Sequence, residues 1–98
     1  MTSQSNGRVF NQLIEVSKVM SGPKRMLLLY MLSNSPKGYS GIAEAFKKEG
    51  IKIGSSEVYK HLYMLIKNGL VSKSFDRVYS ATLKGCELIN IMVRFLHD

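Results

Sequence analysis

The sequence predicts a mainly α-helical fold with one small β-hairpin, and three features carry that expectation. Apolar residues recur at helical spacing in five separate segments of the 98-residue chain. Glycine, proline and serine or threonine punctuate those segments at the places where helices stop and start. Between the last two segments lies a short extended stretch, interrupted at Phe75-Asp76-Arg77, that reads as two strands and a turn.

The first helix is expected from Arg8 to Met20, where Val9, Leu13, Val16 and Met20 fall in one narrow stripe. The polar opening, residues 1–7, is expected to be flexible. Ser21-Gly22-Pro23 ends one helix and begins the next, because glycine serves as a C-terminal stop and proline is tolerated in a first turn. From Pro23 to about Ser33 the sequence is apolar nearly all round, which predicts the central buried helix. Asn34-Ser35-Pro36-Lys37-Gly38 is a turn by composition. A third helix follows from Tyr39 or Ser40 to Glu49, with Ile42, Ala43, Ala45 and Phe46 inward and Gly50 as its stop.

Ile51-Lys52-Ile53 can form a short extended piece, after which Gly54 or Ser55 caps a helix that runs to Asn68 and stops at Gly69. At about 100° per residue, Val58, Leu62, Leu65 and Ile66 converge on one side of that helix. Ser56, Lys60, Tyr63, Met64 and Lys67 gather on the other. Strands at 70–75 and 78–81 make the hairpin, with Tyr79 turned toward the core. Thr82 then caps a last helix from Leu83 to about Leu96. Its polar residues Glu87, Asn90 and Arg94 form one thin stripe, and apolar side chains cover most of the remaining circumference. A helix apolar on two sides predicts two partners, its own core and a second subunit. The expected dimer interface comprises residues 8–20 and 83–97, with Val9, Leu13, Val16, Met20, Leu88, Ile91, Met92 and Phe95 as its contacts.

Composition narrows the function. Lys and Arg outnumber Asp and Glu by 11 to 4 over residues 21–85, against 2 to 1 before and 1 to 2 after, so the whole excess of +7 lies in the middle. A localised positive field attracts a polyanion. The longest uninterrupted apolar run, Met26 to Leu32, is seven residues, far short of the roughly 20 needed to span a bilayer. A soluble, cytoplasmic protein with no membrane partner is expected. Cys86 is the single cysteine, and the two histidines, His61 and His97, have no companions at metal-ligand spacing, so neither a disulfide nor a metal or other cofactor is expected. No nucleophile–base grouping, paired carboxylates or phosphate-cradling glycine loop occurs, which argues against an enzyme.

At the level of motifs, Gly22 through Leu32, Gly38-Tyr39, Ser55 through Val71, and Tyr79, Thr82 and Gly85 in a Tyr-x-x-Thr-x-x-Gly pattern resemble the winged helix-turn-helix superfamily, most closely its PadR-type transcription regulators. The resemblance covers roughly residues 22–85. It implies a winged helix-turn-helix, to which the sequence pattern adds an N-terminal helix and a C-terminal dimerisation helix. Four departures stand out: an additional helix, Arg8 to Met20, precedes the matched segment, the wing is short, Ala81 replaces the leucine usual before the threonine, and the C-terminal part is one helix. They imply no deep insertion of the wing, residues 72–80, into a minor groove and no small-molecule effector.

A helix burying one side and presenting small hydroxyls, a tyrosine and lysines on the other suits a DNA major groove. The expected protein is a dimeric, sequence-specific double-stranded DNA-binding regulator, most simply a repressor. Ser56, Lys60 and Tyr63 would meet the groove, Ser55 and Tyr59 would touch phosphate, and Lys67, Lys73 and Arg77 would add backbone charge. Tyr59, at the edge of the apolar stripe, fits the core equally well. Glu57 near the helix start favours the dipole over a base contact. The other readings are a partition or architectural protein that coats DNA and, ranked lower, a winged-helix adaptor for protein contacts.

Overall fold

The computed structural model describes residues 7–11, 13, 14, 17 and 21–97. All the described residues before Ser21 are helical, while Val16 and Met20 of the expected apolar stripe lie outside the described residues. The rest of the chain forms α1 (Pro23–Asn34), α2 (Tyr39–Lys48), α3 (Ser55–Lys67), β1 (Val71–Lys73), β2 (Tyr79–Ala81) and α4 (Leu83–His97).

Two helices are buried along the same template. In α1 the inward positions are Arg25, Leu28, Leu29 and Leu32, and in α3 they are Val58, His61, Leu62 and Leu65. Both sets follow the i, i+3, i+4, i+7 spacing of one helix face. Ile42 and Phe46 of α2 close the core from a third side, and Leu70, Val71, Tyr79 and Ile89 complete it. α1 is central, as its composition predicts, yet it is not buried all round. Leu27 and Tyr30 are exposed, because α2, α3, α4 and β2 pack around the other side of it.

Chain reversals after α2 and α3 share one hydrogen-bond pattern. Gly50 N–H donates to Lys47 O and Ile51 N–H to Phe46 O, both at 3.0 Å; Gly69 N–H donates to Ile66 O and Leu70 N–H to Leu65 O, both at 2.9 Å. This satisfies carbonyls that would otherwise be orphaned at each helix end. Gly69 sits at φ 73°, where a side chain would be strained.

β1 and β2 pair antiparallel with Val71 opposite Ala81, Ser72 opposite Ser80 and Lys73 opposite Tyr79. Two three-residue strands are marginal alone. They gain a third partner in the turn between α1 and α2, where Lys37 N–H donates to Tyr79 O (2.9 Å) and Tyr79 N–H to Lys37 O (2.8 Å). Ile51-Lys52-Ile53, expected as the extended piece, forms no strand; Ile51 and Ile53 instead pack their side chains against the core. At the base of the hairpin Thr82 acts twice. Its Oγ1 donates to Gly69 O at 2.6 Å and accepts from Gly85 N–H at 3.1 Å, so one hydroxyl closes the hairpin and caps α4.

Candidate nucleic-acid interface

Helix α3 begins without a side-chain cap. The capping position belongs to Gly54, extended at φ −84°, ψ 160°, and its carbonyl accepts the first helical bond from Val58 N–H at 3.0 Å. Ser55, one of the two capping candidates, is already helical. Its hydroxyl is not used as the cap, and a glycine cap costs only a few tenths of a kcal/mol relative to serine.

The eight residues expected to meet DNA are all solvent-exposed: Ser55, Ser56, Tyr59, Lys60, Tyr63 and Lys67 on α3, Lys73 on β1, and Arg77 in the hairpin turn. Met64 is half-buried, and Ile66, expected inside, lies at the exposed margin. His61 takes the buried place instead. Tyr59 resolves between its two readings: it is 51 % exposed, and its ring stacks on Tyr39 with centroids 5.3 Å apart and planes 10° from parallel. Tyr39 opens α2, so this stack ties the two helices of the helix-turn-helix together at the surface. Lys73 Nζ sits 5.9 Å from the centre of the Tyr79 ring, a cation–π distance that braces it along the hairpin.

Behind the exposed face lies a charged group that periodicity alone missed. Arg25 Nε donates to His61 Nδ1 at 3.1 Å, both residues being buried. On the His61 side toward solvent, Glu57 Oε2 stands 3.2 Å from Lys24 Nζ and 3.7 Å from His61 Nε2. The latter is an ion-pair distance rather than a hydrogen bond, and Nε2 is buried without a hydrogen-bond partner. The chain Arg25–His61–Glu57–Lys24 fastens the first half of α3 to the first turn of α1. Its signal was present in the sequence, since positions 25 and 61 complete the two buried templates.

Burial first, and then the Arg25 guanidinium, push the His61 pKa below its ordinary value of 6.5; Glu57 opposes them weakly. The Lys24 hydrogen bond leads the causes that hold the Glu57 carboxyl below its ordinary range. The folded protein therefore keeps His61 neutral where the unfolded chain would protonate it. That contribution to stability is present above pH 6.5 and is lost as the pH falls below it; loss through Glu57 begins lower, near pH 4.5. The melting temperature should drop between pH 7.5 and 5.5, and His61→Gln, which retains an acceptor for Arg25, should flatten the drop. Parallel curves for the two proteins would remove His61 from the account.

The remaining surface offers a cleft of about 630 Å³, open to solvent and lined by Ala43, Lys47, Ile51, Lys52, Ile53, Gly54 and Glu57. Among the described residues no group of three or more His, Cys, Asp or Glu could hold a metal ion, and no helix is long and apolar enough to cross a membrane. Half-buried Cys86 lies on α4.

Three helices around a central α1, with a hairpin stitched to the α1–α2 turn and running straight into a terminal helix, define the architecture. The fold is a winged helix-turn-helix. No protein-family model and no curated protein matches the chain. Among solved structures it is similar to the transcriptional repressor BigR from Xylella fastidiosa, with a TM-score of 0.78 and 19 % identity over 96 % of this chain and 92 % of that one. It is likewise similar to reduced HlyU from Vibrio cholerae, with a TM-score of 0.74 and 20 % identity over 94 % and 96 %. A third such structure is a predicted DNA-binding transcriptional regulator from E. coli, with a TM-score of 0.70 and 23 % identity over 96 % and 99 %. The likeness extends over nearly the full length of each.

Proposed function

We propose that the protein is a cytoplasmic, sequence-specific double-stranded DNA-binding regulator that acts as a homodimer, most simply a repressor, and reads the major groove with α3. The observation that carries this is the division of α3. Val58, His61, Leu62 and Leu65 are locked into the core, while Ser56, Lys60, Tyr63 and Lys67 stand free in solvent on the opposite face. That face belongs to the part of the chain where the positive charge is concentrated. The regulators named above share the fold and supply the analogy. Within the superfamily, the PadR-type reading rests on the motif spacing of residues 22–85 alone.

The dimer draws on exposed apolar side chains. On α4, Ile91, Phe95 and Leu96 face solvent, whereas Ile89 is buried and Leu88 and Val93 pack against the core. Leu88 therefore sits on the inner side of α4 and Met92 is half-buried. Val9, Phe10 and Leu13 add exposed apolar area.

Specificity and attraction separate by position. Lys60 lies in the first turns of α3, where side chains reach base edges, so Lys60→Ala should cost about 1–3 kcal/mol on the best site and relax preference at one base pair. Lys73→Ala and Arg77→Ala should weaken cognate and scrambled duplexes alike and lower the salt slope by about 1 per lost phosphate contact. Titrations of all three variants on both duplexes at several salt concentrations provide the check. A cognate-to-scrambled ratio untouched by Lys60→Ala, but collapsed by a hairpin variant, would transfer the reading role to the wing.

A further inference from the structure

Phe75, at the tip of the hairpin, is fully exposed, with a relative accessibility of 105 %. The loop that holds it out is built rather than slack. Ser74 N–H donates to Val78 O at 2.8 Å and Arg77 N–H to Ser74 O at 3.1 Å. The Ser74 hydroxyl accepts from Val78 N–H at 3.1 Å and donates to the Asp76 carboxylate. Arg77 adopts φ 62°, the left-handed conformation that glycine or asparagine takes more readily. Strain of this kind is tolerated where surrounding bonds over-determine the loop. The result is a phenyl ring presented at the end of a fixed turn, with cations two residues away on either side, Lys73 and Arg77, and with Asp76 engaged by Ser74.

Its position relative to α3 follows from the start of α2, which lies between them. Tyr39 stacks on Tyr59 of α3, and a Cβ on the neighbouring Gly38 would lie 3.6 Å from Arg77 O. The wing tip and the exposed margin of α3 thus flank the same end of one helix. With α3 in a major groove, the groove beside it is the minor groove, roughly 6 Å wide. A phenyl ring has nothing to offer a phosphate, but it can slip against the edge of a base step while two flanking cations reach the phosphates.

We infer that Phe75 is a wedge that enters the minor groove beside the segment read by α3 and partly opens one base step, so that binding bends the duplex. This rests on the DNA-binding reading above. It adds to the short wing a role that its strands are too short to fill, because a ring at the tip can enter where the strands cannot. Its ligand is one base step of duplex DNA at a fixed offset from the α3 footprint.

The test uses the selected binding site with 2-aminopurine placed at successive positions outward from the α3 footprint, and with donor and acceptor dyes at the duplex ends. The wild-type protein should raise 2-aminopurine emission at one step per half-site and bring the dyes closer. Phe75→Ala should still bind the same site with an unchanged salt slope, weaker by about tenfold or less because the lost contact is offset by the unstacking it no longer drives. Both signals should vanish. Phe75→Leu, which keeps an apolar wedge, should retain them. The inference is overturned if Phe75→Ala keeps the emission change, if the wild-type protein bends no DNA, or if Phe75→Ala instead lowers the sedimenting mass, which would make the tip a protein contact. In the first two of these outcomes α3 still binds and the DNA reading stands; a wild-type protein that binds no duplex defeats both.

Discussion

Gly85→Ala is expected to destabilise the protein by about 3 kcal/mol or more, although the exchange places a better helix former inside a helix. A Cβ at Gly85 would lie 2.2 Å from Leu70 O and 3.1 Å from Leu70 C, with Leu29 Cδ1 at 3.2 Å. The obstruction is backbone, and it is held in place: Leu70 O accepts Thr82 N–H at 3.0 Å. To admit one methyl group, α4 must lift from the hairpin base, which also separates Gly85 N–H from its cap at Thr82. Propensity alone predicts a gain of about 1 kcal/mol, so the sign of the change discriminates between the two effects. Urea denaturation of both proteins measures it. An alanine variant as stable as the parent would mean that α4 has room at Leu70.

Charge placed on the outer side of α4 should have the largest effect on DNA binding. On the proposed dimer, Ile91→Glu or Phe95→Glu buries a carboxylate against a second apolar surface, at a cost few interfaces withstand. Ile91 and Phe95 are 52 % and 77 % exposed in the single chain, so neither change removes core packing and the variants should remain folded. They should sediment as monomers and bind a two-fold symmetric site about 10²–10⁴ times more weakly, the amount that linking two reading heads contributes. The preferred site itself should be an inverted repeat with half-sites one helical turn, about 10 bp, or a multiple apart. A wild-type protein that sediments as a monomer at micromolar concentration, or selected sites without symmetry, would overturn the dimer.

Local chemistry made much of this legible in the sequence. Thr82 announces a cap, Gly50 and Gly69 mark helix ends, and the break at Phe75-Asp76-Arg77 marks a turn; each signal is confined to a few residues. The exposed side of α3 was legible for the same reason. What escaped was what polar residues do when they occupy apolar positions. His61 sits on the buried stripe, between Val58 and Leu62, yet only its partner makes that tenable, and Arg25 lies 36 residues away. A stripe built from apolar residues alone leaves out His61 and takes in Ile66, which the structure leaves exposed. The extended reading of Ile51-Lys52-Ile53 left pairing open. Alternation identifies which side chains are buried, and Ile51 and Ile53 do pack inward, but it does not identify which backbone has a ladder partner. Lys37, in a turn, supplied that partner instead.

The bond pair between Lys37 and Tyr79 sets where this chain can tolerate a change in length. It makes the turn ahead of α2 and the second strand of the hairpin a single cooperative piece, although 42 positions separate them. Removing β2 would strip the turn of both bonds, and adding a residue within 79–82 would turn Tyr79 or Thr82 to the wrong side. Between Ser74 and Val78 no bond reaches outward from the loop's backbone to that turn. Insertions of glycine and serine should therefore be accepted at the tip with little loss of folding and rejected a few residues later, so that a longer wing has only one place from which to grow.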